Sequence, residues 1–335
     1  MTSSVLILSG DIGGTSTRLQ LSMFHGGTYD IVKREEYIND EFKLFEEIVF
    51  KFLSDQNGQT IDRACFAFAG PIVNGKVSLT NLPWSFSEDE IAAILKIKQV
   101  VFINDFVAIG YGVNHLDNKD YMTIQQGSPV DDSIKAVVGA GTGLGVALIL
   151  QTKVGVRVIP TEGGHIEFAP TTNLQVDLLR FMKKRLHRVS AERVVSGIGI
   201  TSIYKFLRSL PEFATVEHPD LKRLSLSSKD FSADISYYAK EHRDAISLQA
   251  LDIFIRCYGS FAGNIALTTL PRSGLYIAGG IAPKLQNMML DGRFLVAYKD
   301  KGRMADLLDD IPIHLITNTQ LGLIGAAYYA ATLDK

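Results

Sequence analysis

Cysteine is nearly missing from this sequence: 335 residues hold two, Cys65 and Cys257, both in apolar surroundings. There is no CxxC, which argues against a cysteine-ligated zinc and against a disulfide framework. A charge excess of either sign is missing too. The formal net charge is −2 and the isoelectric point about 6.4, so no basic surface speaks for nucleic acid. No apolar run approaches the ~18 residues of a membrane span. The opening Met1-Thr-Ser-Ser has neither the basic flank nor the apolar core of a signal peptide. The expectation is a soluble cytoplasmic protein with no membrane partner. Apolar bulk is plentiful: 46% of the residues are hydrophobic, enough for a large core, and two domains is the natural division at this length.

Strand-like runs fall at Val5–Ser9, Leu19–Phe24, Tyr29–Tyr37, Ala64–Ala69 and Val100–Asn104. Among them, Glu41–Leu53 has amphipathic helix spacing, and Ser87 with Glu90 forms a capping box ahead of Ile91–Ile97. Gly70-Pro71 stops a buried strand, Asn74-Gly75 reads as a hairpin turn, and polar Asn118–Asp132 reads as a surface connection. The stretch IKAVVGAGTGLGVALIL, Ile134 to Leu150, then repeats the plan of LILSGDIGGTSTRLQLSMF, Leu6 to Phe24. Each is an apolar run, a glycine bend with a Thr, and a second apolar run, so the chain reads as two halves built alike. The second half is richer in helix, at Leu174–Arg185, Ile198–Leu207 and Ala245–Thr268. Glu212–Asp230 lacks clear periodicity and reads as an irregular excursion. Gly274–Ala278 and Ile313–Ile316 read as short strands, and Leu321–Thr332 as a closing helix.

A hairpin needs one or two residues of positive φ, so the surplus of glycine in both bends predicts close backbone approach by something outside the chain. Glycines with exposed N–H groups make a concave anion site. Asp11 among those donors would repel a bare phosphate, but Mg²⁺ is commonly held by one or two carboxylates plus phosphate oxygens and water. One such bend is equally well a generous hairpin; two at matching places in repeated units are harder to dismiss. Neither is a Walker A loop, because no Lys follows the glycines and strands come next.

GDIGGT (Gly10–Thr15), GAGTGLG (Gly139–Gly145) and IAGGI (Ile277–Ile281) resemble the phosphate and adenosine loops of the actin, Hsp70 and sugar-kinase superfamily. FINDFVA (Phe102–Ala108), TEGGHIEFAP (Thr161–Pro170) and SAERVVSG (Ser190–Gly197) narrow this. Together the motifs resemble the bacterial glucokinase family, ATP-dependent and distinct from the zinc-containing repressor/kinase group, from Leu8 to about Ala327. The resemblance implies an α/β fold of two actin-like (ribonuclease H-like) domains flanking a cleft, each a mixed sheet with helices. Residues 1–110 would form the small domain, with a C-terminal helix at about 319–335 crossing back, and 111–318 the large one. It implies transfer of the ATP γ-phosphoryl group to the 6-hydroxyl of D-glucose, giving glucose 6-phosphate and ADP for glycolysis, and a homodimer.

Carried over residue by residue, the resemblance makes Asp105 the catalytic base and assigns glucose to Asn104, Asp105, Glu162, His165 and Glu192. It assigns ATP to Gly10, Asp11, Ile12, Gly13, Gly14, Thr15, Gly141, Thr142, Gly143, Gly279 and Gly280, with Asp11 holding Mg²⁺ through water. In a loose phosphoryl-transfer transition state the hydroxyl loses its proton late, so a well-aimed carboxylate serves despite its low pKa.

On their own physics the same residues have blander readings. Asp105 is an ordinary helix N-cap. EGGH is a polar turn, or with Glu167 a metal site that no Cys or second nearby His supports. Glu192 is a first-turn helix acid, and Gly279-Gly280 is a tight turn ahead of Pro283. Gly322 and Gly325 permit close helix packing, and Trp84, beside Asn81, is a packing anchor. Glu167 has no assigned role.

Rival readings are a kinase for another hexose or an amino sugar, an ATPase of the Hsp70 or actin type, and a sugar sensor without turnover, which needs no Asp105.

Overall fold

The computed structural model describes residues 4–56, 60–70, 72–79, 82, 84–213 and 216–333. Pro71 and Asn81, singled out above, lie outside the described residues. The chain forms two compact units: Met1–Asp117 with Thr152–Pro160 and Asn318–Lys335, and Asn118–Gln151 with Thr161–Thr317.

In the first unit, β1 (Val5–Ile12) and β2 (Ser16–His25) make an antiparallel hairpin that β3 (Thr28–Ile38) extends. β4 (Arg63–Phe68) lies parallel to β1. A ribbon of β5 (Lys76–Ser78) and β6 (Ser85–Ser87) follows a turn in which Asn74 and Gly75 both have positive φ, as the Asn-Gly pair predicts. β7 (Gln99–Asn104) completes the five-stranded order β3-β2-β1-β4-β7. Successive strand residues serve opposite cores. Leu8, Phe66 and Phe68 pack with α1 (Phe45–Leu53), Trp84 and Ile91 of α2 (Glu88–Leu95). Ile7, Cys65 and Ala67 face Ala108 of α3 (Asp105–Val113) and the alanines of the C-terminal helix. With both faces covered, these strands read as continuous apolar runs. The capping box of α2 forms: the Ser87 N–H donates to Glu90 Oε2 (2.7 Å), and the Glu90 N–H to Ser87 Oγ (3.3 Å).

The second unit's sheet contains β8 (Tyr121–Gln125), β9 (Lys135–Ala140), β10 (Leu144–Thr152), β11 (Gly155–Thr161), β12 (Leu275–Ala278) and β13 (Ile313–Ile316). Its order is β11-β10-β9-β12-β13-β8. The run β11-β10-β9-β12-β13 repeats β3-β2-β1-β4-β7: a hairpin, then two parallel strands. Helices α4 (Asn173–Lys183), α5 (Gly197–Leu207), α6 (Pro219–Ser227), α7 (Phe231–Glu241) and α8 (Ala245–Thr269) come next in the chain. α9 (Gln286–Leu290), α10 (Arg293–Lys299) and α11 (Ala305–Asp309) follow β12. Tyr204, Phe254, Tyr258 and Phe294 fill the core. The last helix, α12 (Leu321–Ala331), belongs to the first unit, where Gly325 lies directly against the Ala108 carbonyl of α3.

Three expectations change. Residues 152–160, counted with the large domain from sequence, group with the first unit, where Val158 occupies the space beside Gly110. Asn118–Asp132 is not only a connection, because β8 pairs antiparallel with β13. Glu212–Asp230 contains α6, started by Pro219 and capped by His218 Nδ1, which accepts from the Asp220 N–H (3.2 Å). Among the described residues no helix is long and apolar enough to cross a membrane.

Candidate functional site

The first glycine bend, Gly13-Gly14-Thr15, joins β1 to β2 and is closed by the Gly13 N–H donating to the Ser16 carbonyl (3.0 Å). Gly14 and Thr15 are exposed. Gly10 does not lie in the bend. It is a residue of β1, and a Cβ there would come within 2.6 Å of the Phe66 ring, so its small size serves core packing. Ile12 is likewise a buried core side chain. Asp11 is partly buried at the end of β1, and Gly322 in the first turn of α12 lies close by. Burial raises the Asp11 carboxyl above the usual carboxylate range; Arg18, 3.8 Å away, opposes this and Glu36 adds to it.

Asn104 and Asp105 stand where β7 gives way to α3. The cap of α3 is Asn104, not Asp105. Asn104 Oδ1 accepts from the Phe106 N–H at 2.9 Å, and Asn104 Nδ2 donates to the Gly70 carbonyl at 3.3 Å. Asp105 is therefore the first residue of the helix, its Oδ1 sharing the Phe106 N–H at 2.9 Å. Burial, reinforced by the Asp11 charge, raises its pKa to about 7, against the lowering effect of the nearby N–H groups and the Asn104 amide.

In the second unit the bend Gly141-Thr142-Gly143 joins β9 to β10, with the Gly141 N–H donating to the Gly143 carbonyl (2.8 Å). Its outer face is open: Thr142 is exposed, and a Cβ on Gly141 would meet no atom within 4 Å. The Gly197 N–H at the start of α5 donates to the Gly141 carbonyl (2.9 Å), and the Leu144 N–H donates to Glu192 Oε2 (3.1 Å). Gly279, at φ +84°, ends β12 so close to β9 that a Cβ would come within 2.3 Å of the Ala140 carbonyl, whereas a Cβ on Gly280 would point into open space. The buried Tyr258 hydroxyl of α8 fills the point where β9 and β12 part. It accepts from the Ala140 N–H (3.2 Å) and lies within donating distance of the Val138 (3.2 Å) and Ala278 (3.4 Å) carbonyls.

The structure brings Glu162, His165 and Glu192 together. His165 Nε2 is 3.7 Å from Glu162 Oε2, and its Nδ1 is 3.9 Å from Glu192 Oε1. Glu162 and His165 are largely exposed, with open hydrogen-bonding groups, whereas Glu192 is held from below by the Leu144 N–H. Glu167 stands apart, paired with Arg188 at 2.7 Å, and Arg188 also donates to the His165 carbonyl (2.6 Å). Trp84 is a packing anchor, buried with its Nε1 donating to the Lys43 carbonyl (3.0 Å). Sequence reading missed Arg18, Asn39, Arg188 and Tyr258.

Among the described residues no group of three or more His, Cys, Asp or Glu converges as a metal cage. The remaining donor chemistry, hard carboxylate oxygen at Asp11 beside a bend with room for phosphate, fits an ion that keeps most of its waters.

A family model for glucokinase matches residues 8–333. The chain is 42% identical over 342 residues to the glucokinase of Nostoc punctiforme, covering 98% of this chain and 99% of that one. It is 40% identical over 349 residues to the glucokinase of a Synechocystis species, covering 98% of each. The crystal structure of glucokinase from an Antarctic psychrotroph superposes with a TM-score of 0.82 at 34% identity, covering 97% of this chain and 98% of that one. The fold is thus the two-domain α/β fold of the actin-like sugar kinases, and the chain belongs to the glucokinase family.

Proposed function

We propose that this protein is a glucokinase that moves the γ-phosphoryl group of ATP to the 6-hydroxyl of D-glucose, with Asp105 as the base. The observation that carries the chemical part is the Asp105 carboxyl, raised to about 7 by burial and by Asp11. At neutral pH much of it is ionised, yet it is a stronger proton acceptor than a solvated aspartate. In the transfer, a bond forms from the sugar O6 to the γ-phosphorus and the bond from that phosphorus to the β,γ-bridging oxygen breaks. The hydroxyl proton goes to Asp105, and ADP leaves. The proton moves late, so aim matters more than basicity. Asn104 gives Asp105 that aim by taking over the helix cap.

Glu162, His165 and Glu192 are assigned to the sugar hydroxyls. A carboxylate accepts from two adjacent hydroxyls, and an imidazole within 4 Å of both acids adds a donor. The backbone N–H groups of both glycine bends and of Gly279-Gly280 are assigned to ATP. Mg²⁺, held by Asp11 through water, would neutralise phosphate charge. A homodimer in the cytoplasm completes the reading.

Coupled measurement of ADP release with and without glucose tests it. Glucose-dependent ADP with equimolar glucose 6-phosphate is expected. Sugar-independent hydrolysis would point to an ATPase, and tight glucose binding without ADP to a sensor.

A further inference from the structure

We infer that Asn39 is a positioning residue for the phosphates of the donor, acting by turning the carbonyl groups of the first glycine bend away from them. This rests on the assignment of that bend to ATP. Asn39 follows β3 directly, beside the bend, and is fully buried. Its Nδ2 donates to the Gly13 carbonyl (2.9 Å), and its backbone N–H donates to the Thr15 carbonyl (2.9 Å). Its Oδ1 accepts from Thr17 Oγ1 (2.8 Å). The orientation of the amide is not arbitrary, because the Gly13 carbonyl can only accept and the Asn39 nitrogen must face it.

The consequence follows from the planarity of the peptide. In a trans peptide the N–H points opposite to the C=O. With the carbonyls of Gly13 and Thr15 held on the Asn39 side, the N–H groups of Gly14 and Ser16 face the other way. A flexible glycine bend samples both peptide orientations, and one of them presents carbonyl oxygens that repel phosphate. Asn39 removes that orientation before the nucleotide arrives, which is preorganisation rather than contact. Thr17 acts one step further back by fixing Asn39.

Asn39→Asp is the sharpest test, since it keeps the size and the acceptor for Thr17 but sets an oxygen against the Gly13 carbonyl. Binding is read by calorimetry with a non-hydrolysable ATP analogue plus Mg²⁺ and, separately, with adenosine, which has no phosphate. KM for ATP and for glucose are measured alongside. The expected result is roughly tenfold weaker binding of the ATP analogue, about the size of one buried hydrogen bond lost, with adenosine affinity and the glucose KM unchanged within twofold. Parallel weakening of adenosine and the analogue, or no change in either, would overturn the inference. If Asn39→Asp fails to fold, Thr17→Val and Thr17→Ser decide. The valine variant should weaken the analogue selectively and the serine variant should restore it; equal behaviour of the two overturns the inference. The wild-type assay for glucose 6-phosphate judges the proposed reaction independently, because the ratio of analogue to adenosine affinity needs no turnover.

Discussion

At the scale of single residues, Asp105 bears most of the chemical argument. Its carboxyl is harder to ionise in the folded chain than in the unfolded one, where the ordinary value is 3.8. Stability is therefore given up as pH rises from about 4 through about 7, and below about 4 both states are protonated and the cost vanishes. Asp105→Asn removes that cost and keeps an oxygen for the Phe106 N–H. The variant should melt a few degrees above the wild type at pH 8 and level with it at pH 4, while turnover falls at least ~10²-fold with glucose affinity nearly unchanged. Calorimetric melting at the two pH values and steady-state kinetics check both halves; a variant less stable at pH 8 would mean that the carboxylate is well satisfied in the fold. For the wild type, kcat/KM for glucose should rise as pH increases through about 7, as the base of the free enzyme loses its proton.

At the scale of elements, the glycines around the second bend divide by what surrounds them. Gly279 has positive φ and no room for a Cβ, so Gly279→Ala should cost ~1–3 kcal/mol and lower the melting temperature. Gly280 has open space, so Gly280→Ala should leave melting unchanged and raise only the KM for ATP, through a methyl group set where ligand is assigned. Melting curves beside KM values separate the two; a stability loss at Gly280 would make it a structural glycine. The same division explains what could be read from sequence. The paired bends were legible because glycine and Thr between apolar runs form a local pattern that occurs twice, and the capping box at Ser87 because its two partners lie three residues apart. Asn39 and Tyr258 were not legible. Each acts on a bend from a distant part of the chain, and nothing local distinguishes a buried asparagine whose amide holds back the Gly13 carbonyl from any other asparagine. Edge strand β8 escaped because it buries too little to alternate, and α6 because one buried residue, Leu221, sets no period. At Gly10 the motif is local, but a packing reason for its small size is Phe66, on another strand, which the motif does not reveal.

At the scale of the whole molecule, the scarcity of cysteine becomes a tool. Cys65 lies in the first unit and Cys257 in the second, both free and buried, and burial raises both thiols above their ordinary pKa. A thiol that is neither reachable nor ionised reacts only when its surroundings open. The two labelling rates, read on separate peptides by mass spectrometry, therefore report the opening of each unit by itself. The residues assigned to glucose are Asn104 and Asp105 from the first unit and Glu162, His165 and Glu192 from the second. If glucose engages both sets, saturating it at ~100 times its Kd adds ~2.7 kcal/mol to the closed state, and both thiols should label up to ~100-fold more slowly where reclosing outpaces labelling. Protection of Cys257 alone would confine the sugar to the acid and imidazole cluster and leave Asp105 without a substrate to deprotonate. Protection of Cys65 alone would strip Glu162, His165 and Glu192 of their role. Reductant should leave the melting temperature unchanged, since neither thiol is in a disulfide.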